Sequence, residues 1–505
     1  MGIKSIGASL FSNWVVRQNH KWSSRPFDTQ EKVFEQLLLK ARETRFGRDH
    51  KLDQVSDHKT YKEAVQIRDY EGIKHYIDRI LNGEKDVLWP GRPLYFSKTS
   101  GTTSGVKYIP IVKEAMPNFI NAARDVLLNY ANLTGNSSFF DGRLIFLSGS
   151  PEMEKTGDIL TGRLSGIVNH FIPFYLKGNQ VPSYETNCID DWEKKIEAIA
   201  NETIHLDMRL VSGIPPWMQM YFDLLVEKSN KPVGELFPNL SVISHGGVNF
   251  DPYKARLFES IGRTIDTLET FPASEGFFAY QDVPDGMKEK NEDDGLLLLL
   301  NNGIFYEFIP VSEFYDEAPS RIGIEDVELG VNYVMILNTN SGLWGYNLGD
   351  TVKFISKEPY RLKVSGRLKD FISAFGEHVI AEEVDRAITK VSELMNVEIV
   401  EFTVAPQVNP QDGLPYHEWF VEFGKPPSDI ATFATQLDEE LIRLNTYYKD
   451  LIDGKVLQRL KLRHLKKDSF INYMRSIGKL GGQNKVPRLS NDRKIVDALK
   501  GYVLK

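Results

Sequence analysis

The sequence predicts an α/β protein in two parts. A large N-terminal domain, residues 1–364, carries mixed sheets and a β-rich subdomain, and a small α+β domain, residues 365–505, follows it. Three observations predict this. Short apolar runs that end in glycine or serine, Arg143–Gly149 (RLIFLSG) and Leu240–His245 (LSVISH), alternate with helical stretches at Trp192–Ala200 and Trp217–Lys228. That alternation belongs to α/β architectures with partly parallel sheets. Helical signals then thin out from Gly295 to Phe354, and after Gly366 the texture resets to a helix, two strands and a helix.

Each element rests on a local signal. Residues 28–46 space Val33, Leu37, Leu38 and Ala41 along one helical face, with Asp28 and Glu31 as a capping box. Further helices start near Asp57 and Asp69. Around Tyr95 the chain becomes strand, then a Gly/Ser/Thr loop, then strand. Another strand is expected at Thr264–Leu268. In the β-rich stretch, Leu296–Leu300, Ile304–Ile309, Tyr333–Asn338 and Thr351–Ile355 read as four strands joined by NNG- and SG-type turns. Past the boundary, a helix over Ala381–Leu394 precedes the strands VEIVEFTVAP and HEWFVEFG and a helix at Asp429–Thr446. No internal repeat is evident.

Composition bounds the function. The chain has 505 residues, 41% hydrophobic and 26% charged, the balance of an ordinary globular protein. Lys plus Arg is 61 and Asp plus Glu is 69, a net charge of −8, which argues against a protein that coats nucleic acid. The single cysteine, Cys188, excludes an internal disulfide framework and an all-cysteine metal site. The chain starts Met-Gly, but it lacks a continuous apolar signal region, and Ile6 breaks the myristoylation pattern. The densest apolar run, Leu296–Leu300, falls far short of the roughly twenty residues of a membrane span. A cytoplasmic protein without a membrane span, a monomer or weak dimer, is the expectation.

Several motifs fail. There is no P-loop and no G-x-G-x-x-G. His417-Glu418 begins H-E-x-x-H, but Val421 stands where the second His belongs, and a half-buried strand is the simpler reading. His245-Gly246-Gly247 with Pro272-Ala273-Ser274-Glu275-Gly276 imitates a hydrolase oxyanion loop and nucleophile elbow, with Pro replacing the first glycine of the elbow.

Five segments survive. Tyr95–Pro110 (YFSKTSGTTSGVKYIP) packs small hydroxyl and glycine residues between two strands. Such a loop can present backbone N–H groups and hydroxyls to phosphate, and Lys107 adds a positive charge. A flexible polar hairpin is the plain alternative. Thr270–Gly276 (TFPASEG) offers an aromatic, a hydroxyl and a carboxylate able to hold Mg²⁺, or else an ordinary turn. Leu343–Asp350 (LWGYNLGD) sets Asp350 at a glycine turn, where it could accept both hydroxyls of a ribose or simply close the turn. Val364–Ile372 (VSGRLKDFI) marks the domain boundary. Gly481–Arg488 (GGQNKVPR) puts Lys485 on a glycine-rich loop.

In this order the segments resemble the adenylate-forming superfamily of acyl-CoA synthetases, luciferases and peptide-synthetase adenylation domains. More narrowly, they resemble the GH3 family of acyl-acid amido synthetases, as a bacterial-type member. Residues 99–107 match the phosphate loop, with Lys107 one place earlier than the family's lysine. Phe271–Glu275 match Y-x-x-S-E with Phe for Tyr, and Tyr346–Asp350 match Y-R-x-G-D with Asn347 for Arg. Ser365-Gly366-Arg367 match the hinge strand, and Gln483–Arg488 match Q-x-K-x-P-R.

The resemblance implies ATP and Mg²⁺, a small carboxylic acid and an amine or amino acid as substrates, and a mobile C-terminal domain hinged near Lys369. It implies that Ser100, Gly101, Thr102, Thr103, Ser104, Gly105 and Lys107 hold the triphosphate. It implies that Phe271 stacks on adenine, that Ser274 lies near the acyl carboxylate and the α-phosphate, and that Glu275 holds Mg²⁺. It places Asp350 and Arg367 at the ribose and brings Lys485 to the α-phosphate or the carboxylate. The segments Phe119–Asp125, Leu160–Phe174 and His245–Phe250 are expected to line an acyl pocket or to be core. The basic stretch Lys455–Lys467 reads as a solvated strand face. A CoA-thioester ligase and a serine hydrolase using Ser274 are the alternative activities.

Overall fold

The structure, a computed structural model, describes residues 2–102, 105–248, 250–284, 287, 295–368, 371–372, 379–408, 410–453, 456–480, 485–490 and 493–504. The fold is mixed α/β. The chain divides into two compact units. One comprises 1–247, 262–348 and 352–363; the other comprises 248–261, 349–351 and 364–505. Among the described residues no helix is long and apolar enough to cross a membrane.

The strands of the two larger sheets, in chain order, are β1 (Tyr95–Thr102), β2 (Gly105–Ile111), β3 (Arg143–Phe146), β4 (Glu154–Thr156), β5 (Ile159–Gly162), β6 (Gln180–Val181), β7 (Met208–Gly213), β8 (Val242–Gly246), β9 (Asp266–Ala273), β10 (Gly276–Gln281), β11 (Leu296–Leu298), β12 (Ile304–Pro310), β13 (Asn332–Thr339), β14 (Tyr346–Lys357) and β15 (Tyr360–Arg367). They form a four-stranded sheet, β2-β1-β5-β4, and an eleven-stranded sheet, β12-β13-β14-β15-β11-β10-β9-β8-β7-β3-β6. From β9 to β6 the large sheet is parallel. This is the half where apolar runs alternate with helices, and Leu144, Leu210, Val242 and Leu268 are buried along it. The pairs β9–β10, β10–β11 and β11–β15 are antiparallel. The dense run Leu296–Leu298 is buried throughout, because it lies between two neighbouring strands.

Helix starts show where local signals suffice. Asp57 caps the helix His58–Ala64 with a capping box completed by Thr60, and Asp69 caps Tyr70–Leu81 by accepting from Gly72 N. The expected helix over 28–46 begins earlier and ends sooner. It is helix α2, Pro26–Ala41, the second of the chain, and Asp28 sits inside its first turn instead of capping it. Pro26, whose fixed φ and missing N–H suit the first helical position, sets the start.

Before it, helix α1 spans Ile3–Ser23, where sequence patterning showed no helix. Its N-terminus is capped from afar: Asp141 Oδ2 accepts from Gly2 N at 2.7 Å and Oδ1 from Ser5 N at 3.1 Å. Burial opposes charge on Asp141, but these bonds and Arg209 hold its pKa below the usual carboxylate value.

β12 carries a buried polar network. Glu307 Oε1 meets His58 Nε2 at 2.7 Å, and Oε2 accepts from Arg321 Nη2 at 2.6 Å and from Asn338 Nδ2 at 2.9 Å. Burial alone would push the Glu307 pKa up. The His58 hydrogen bond and the Arg321 charge overcome it and bring it down to about 2.

The second unit holds β16 (Phe371–Ile372), β17 (Val379–Ile380), β18 (Glu398–Gln407), β19 (Tyr416–Lys425) and β20 (Lys461–Leu465). Helices Ala381–Met395 and Ile430–Leu444 pack beside the sheet β18-β19-β20, and Asp429 caps the latter. β19 was expected to be half-buried, yet Tyr416–Phe423 are buried on both faces. It is the central strand, and its polar residues have interior partners. Glu418 pairs with Arg463 and Arg493, and Glu422 accepts from Asp468 N and Phe470 N at the start of the helix Ser469–Ser476.

Candidate functional site

In the first unit three separately recognised segments meet. β1 and β2 form a hairpin in which Thr99 faces Lys107 and Thr102 faces Gly105, with a register shift between. Thr103 and Ser104 lie outside the described residues, and Ser100, Gly101, Thr102 and Gly105 are described as backbone only. The strand leading into this loop carries Ser97, whose Oγ lies 2.8 Å from Ser274 Oγ. Ser274 and Glu275 form the turn between β9 and β10, with Ala273 facing Gly276. The strand expected at 264–268 therefore runs on to Ala273, through most of the segment it was expected to precede.

Glu275 is tied to the third segment. Tyr346 OH donates to Glu275 Oε1 at 3.4 Å. Burial, and then the neighbouring Glu275 charge, raise the Tyr346 pKa well above that of a free phenol, so the hydroxyl stays a donor. Beneath the hairpin, Tyr70 accepts from Tyr108 N at 2.9 Å, and Lys107 Nζ lies 5.8 Å from the Tyr70 ring centroid. A Ser/Thr/Gly-rich hairpin, a hydroxyl and a carboxylate thus converge. Ser97 and Tyr70 are the supporting residues that motif spacing did not single out, because their partners are distant in sequence.

Phe271 is packed differently from an open stacking platform. It is 8% exposed, with Phe278 meeting its ring edge-on at 5.0 Å. Its place in the core follows from strand alternation on β9.

The hydrolase arrangement gains nothing from the geometry. The hydroxyl partner of Ser274 is Ser97, and His245 is a buried residue of β8 in register with Glu269. Gly246 is needed for sheet packing, since a Cβ there would strike the Thr270 carbonyl oxygen. Among the described residues no group of three or more His, Cys, Asp or Glu is placed to hold a metal ion, and His417 and Glu418 are buried on β19. In the expected acyl-pocket segments, Phe119, Ala122 and Ile167 belong to the core.

In the second unit Asp350 is buried and accepts from Arg367 Nε at 2.7 Å. Ser365 Oγ lies 3.0 Å from Thr351 Oγ1, stitching the same two segments. Gly366 has φ +148, and a Cβ there would meet Ala381, so glycine is required. Lys369 and Asp370 lie outside the described residues.

Lys485 is exposed at the head of a described segment, 485–490, and residues 481–484 lie outside it. That segment is anchored firmly. Val404 N donates to Arg488 O, Ser490 N donates to Val404 O, and Thr403 Oγ1 donates to Pro487 O. Arg488 is buried. It pairs with Glu401, lies 3.3 Å from Asp385 Oδ1, donates to Tyr253 OH at 2.8 Å and covers the Phe402 ring at 4.5 Å. Burial works to strip its proton, but Glu401, Tyr253 and Asp385 outweigh it and hold the guanidinium charged.

In the basic stretch, Arg459 pairs with Asp438 at 2.9 Å and Arg463 with Glu418 at 2.7 Å, while Lys466 and Lys467 are exposed.

Profiles of three domains of one family match the chain: the GH3 family N-terminal domain over residues 15–188, the central domain over 297–367 and the C-terminal domain over 382–494. Among curated relatives, the indole-3-acetic acid-amido synthetase GH3.3 of Arabidopsis thaliana is 21% identical over 94% of this chain and 91% of its own. The jasmonoyl-L-amino acid synthetase JAR4 of Nicotiana attenuata is 21% identical over 91% of this chain and 90% of its own. Both are plant enzymes, and neither supports a bacterial-type placement. Among solved structures, the Arabidopsis GH3.15 acyl acid amido synthetase in complex with 2,4-DB superposes with TM-score 0.79 at 17% identity, covering 98% of this chain and 96% of that one. A 2-hydroxyisobutyryl-CoA ligase superposes with TM-score 0.60 at 12% identity, covering 95% of this chain and 92% of that one.

Proposed function

The chain belongs to the GH3 family, and from that premise we propose that it is an ATP-dependent acyl-acid amido synthetase. A carboxylate is a poor electrophile. Its oxygen attacks the α-phosphorus of ATP, the bond to pyrophosphate breaks, and acyl-AMP forms. The nitrogen of an amine, in this reading an amino acid, then attacks the acyl carbon. AMP leaves with the bonding pair, and the nitrogen gives up a proton as the amide forms.

The residues divide the work. The β1–β2 hairpin and Lys107 bind the triphosphate. Ser274, oriented by Ser97, sits at the carboxylate. Asp350 turns from Arg367 to the ribose hydroxyls, and Arg367 accompanies it. Lys485 reaches the α-phosphate, where charge accumulates in the transition state. A half-buried carboxylate at a turn, already accepting from Tyr346, suits Mg²⁺ held jointly with substrate phosphates. Glu275 would hold it, and bound there it would neutralise phosphate charge.

The observation that carries this reading is the meeting of Ser97 with Ser274 and of Glu275 with Tyr346, which joins three motif segments at one place. The test is ATP–pyrophosphate exchange across a panel of small apolar and aromatic carboxylic acids, followed by amide detection with mixed amino acids. Exchange with at least one acid and amide product are expected. AMP release that requires CoA would make the protein a thioester ligase. No exchange with any acid by folded protein would sink the proposal.

A further inference from the structure

Helix α1 is apolar on two sides. Ser5, Ser12, Val15 and Trp22 are buried, and the helix packs against the helix Met116–Thr134. The other side carries Ile3, Ile6, Leu10 and Trp14, which are 91%, 50%, 72% and 53% exposed. Their spacing of three, four and four places them in one stripe along the helix. Phe11 widens it by stacking on Trp14 at 5.4 Å. The same stripe continues, three and seven residues beyond Trp14, into Arg17 and Lys21. Residues 1–27 contain four cations, Lys4, Arg17, Lys21 and Arg25, and no Asp or Glu, although the whole chain carries −8.

We propose that α1 docks this protein on an anionic lipid surface, lying in the interface without crossing it. Ile3, Ile6, Leu10 and Trp14 enter the boundary between headgroups and acyl chains, and Arg17 and Lys21 engage headgroup phosphates. A tryptophan at the edge of an apolar stripe suits that layer. The absence of carboxylates removes the repulsion that the rest of this acidic chain would meet there. A second copy fits worse. Parallel pairing of two stripes sets cations against cations, and antiparallel pairing buries each cationic end against Ile3 and Ile6. The inference is independent of the proposed reaction, since none of these residues belongs to its machinery.

The test is co-sedimentation of the full chain with vesicles of phosphatidylcholine alone, or with a quarter phosphatidylglycerol. The variants are Leu10→Ser with Trp14→Ser, and Arg17→Glu with Lys21→Glu. These side chains are exposed, so the circular dichroism spectrum and pyrophosphate exchange should stay unchanged. Binding is expected to be about tenfold stronger on the anionic vesicles, to fall about tenfold with the serine pair, and to lose its anionic preference with the glutamate pair. Absence of sedimentation with either vesicle overturns the proposal, as does binding indifferent to both pairs. Self-association that the serine pair abolishes, without vesicle binding, assigns the stripe to a second copy and overturns it too.

Discussion

Arg488→Met removes the cation from the middle of the second unit. The guanidinium faces Glu401 and Asp385, donates to Tyr253 OH at 2.8 Å and lies 4.5 Å from the Phe402 ring centroid. Methionine keeps much of the stem volume, so the ring contact survives in part. What is lost is the charge that compensates the buried Asp385 and the half-buried Glu401. Removing one partner from a buried ion pair costs about 3–5 kcal/mol, because the other partner stays behind in a poorly solvating site. That is roughly two to three and a half powers of ten in the folded-to-unfolded ratio. The measurement is urea denaturation followed by far-ultraviolet circular dichroism, with the transition of the second unit moving and that of the first unit holding. Arg488→Lys retains a charge without the fork and should fall between methionine and the native residue. A methionine variant within about 0.5 kcal/mol of the native protein would refute the assigned role of the cluster.

Glu307→Gln should destabilise the first unit by roughly 3 kcal/mol near neutral pH, judged from a carboxyl moved from 4.5 to about 2. Because the folded pKa is depressed, that contribution is full above about pH 4.5 and is lost as the pH falls toward 2. The gap between native and variant protein in denaturation midpoints should therefore close on acidification; a gap constant down to pH 2 would show the charge is not the cause. Lys485→Ala should abolish acyl-AMP formation while ATP still binds, as seen by exchange beside nucleotide titration; unaltered exchange removes the residue from the reaction. Ser274→Ala should cut exchange by about 10- to 100-fold in folded protein. Asp141→Ala should cost about 1–2 kcal/mol and make 1–25 the first site of limited proteolysis, because α1 loses its cap.

Much of the fold is legible because its signals are local. Asp57, Asp69 and Asp429 announce helices through hydrogen bonds two or three residues away. Leu296–Leu300 reads as a buried strand from its apolar run and flanking turns, and the observed strand is its first part, Leu296–Leu298. The misses have non-local causes. Asp28 looks like a cap, but Pro26 has already started the helix. α1 hides because its apolar residues occupy two faces and its cap is supplied by Asp141. β19 looks half-exposed because nothing in its own sequence shows that Arg463 and Arg493 await Glu418 inside. The site follows the same rule. Its segments are visible as motifs, while the pairs that join them, Ser97 with Ser274 and Tyr346 with Glu275, span 177 and 71 residues.

The remote cap on α1 also sets a timetable. Gly2 N and Ser5 N find their acceptor 139 and 136 residues later. At about 5–20 residues per second, a ribosome needs roughly 7–28 s to supply it. The helix Met116–Thr134, against which α1 packs, arrives only shortly before. Helix α1 is thus made well before the residues that hold it in place. Throughout that interval Val15 and Trp22 are open as well as the outer stripe, so α1 meets its surroundings before it meets its own partners.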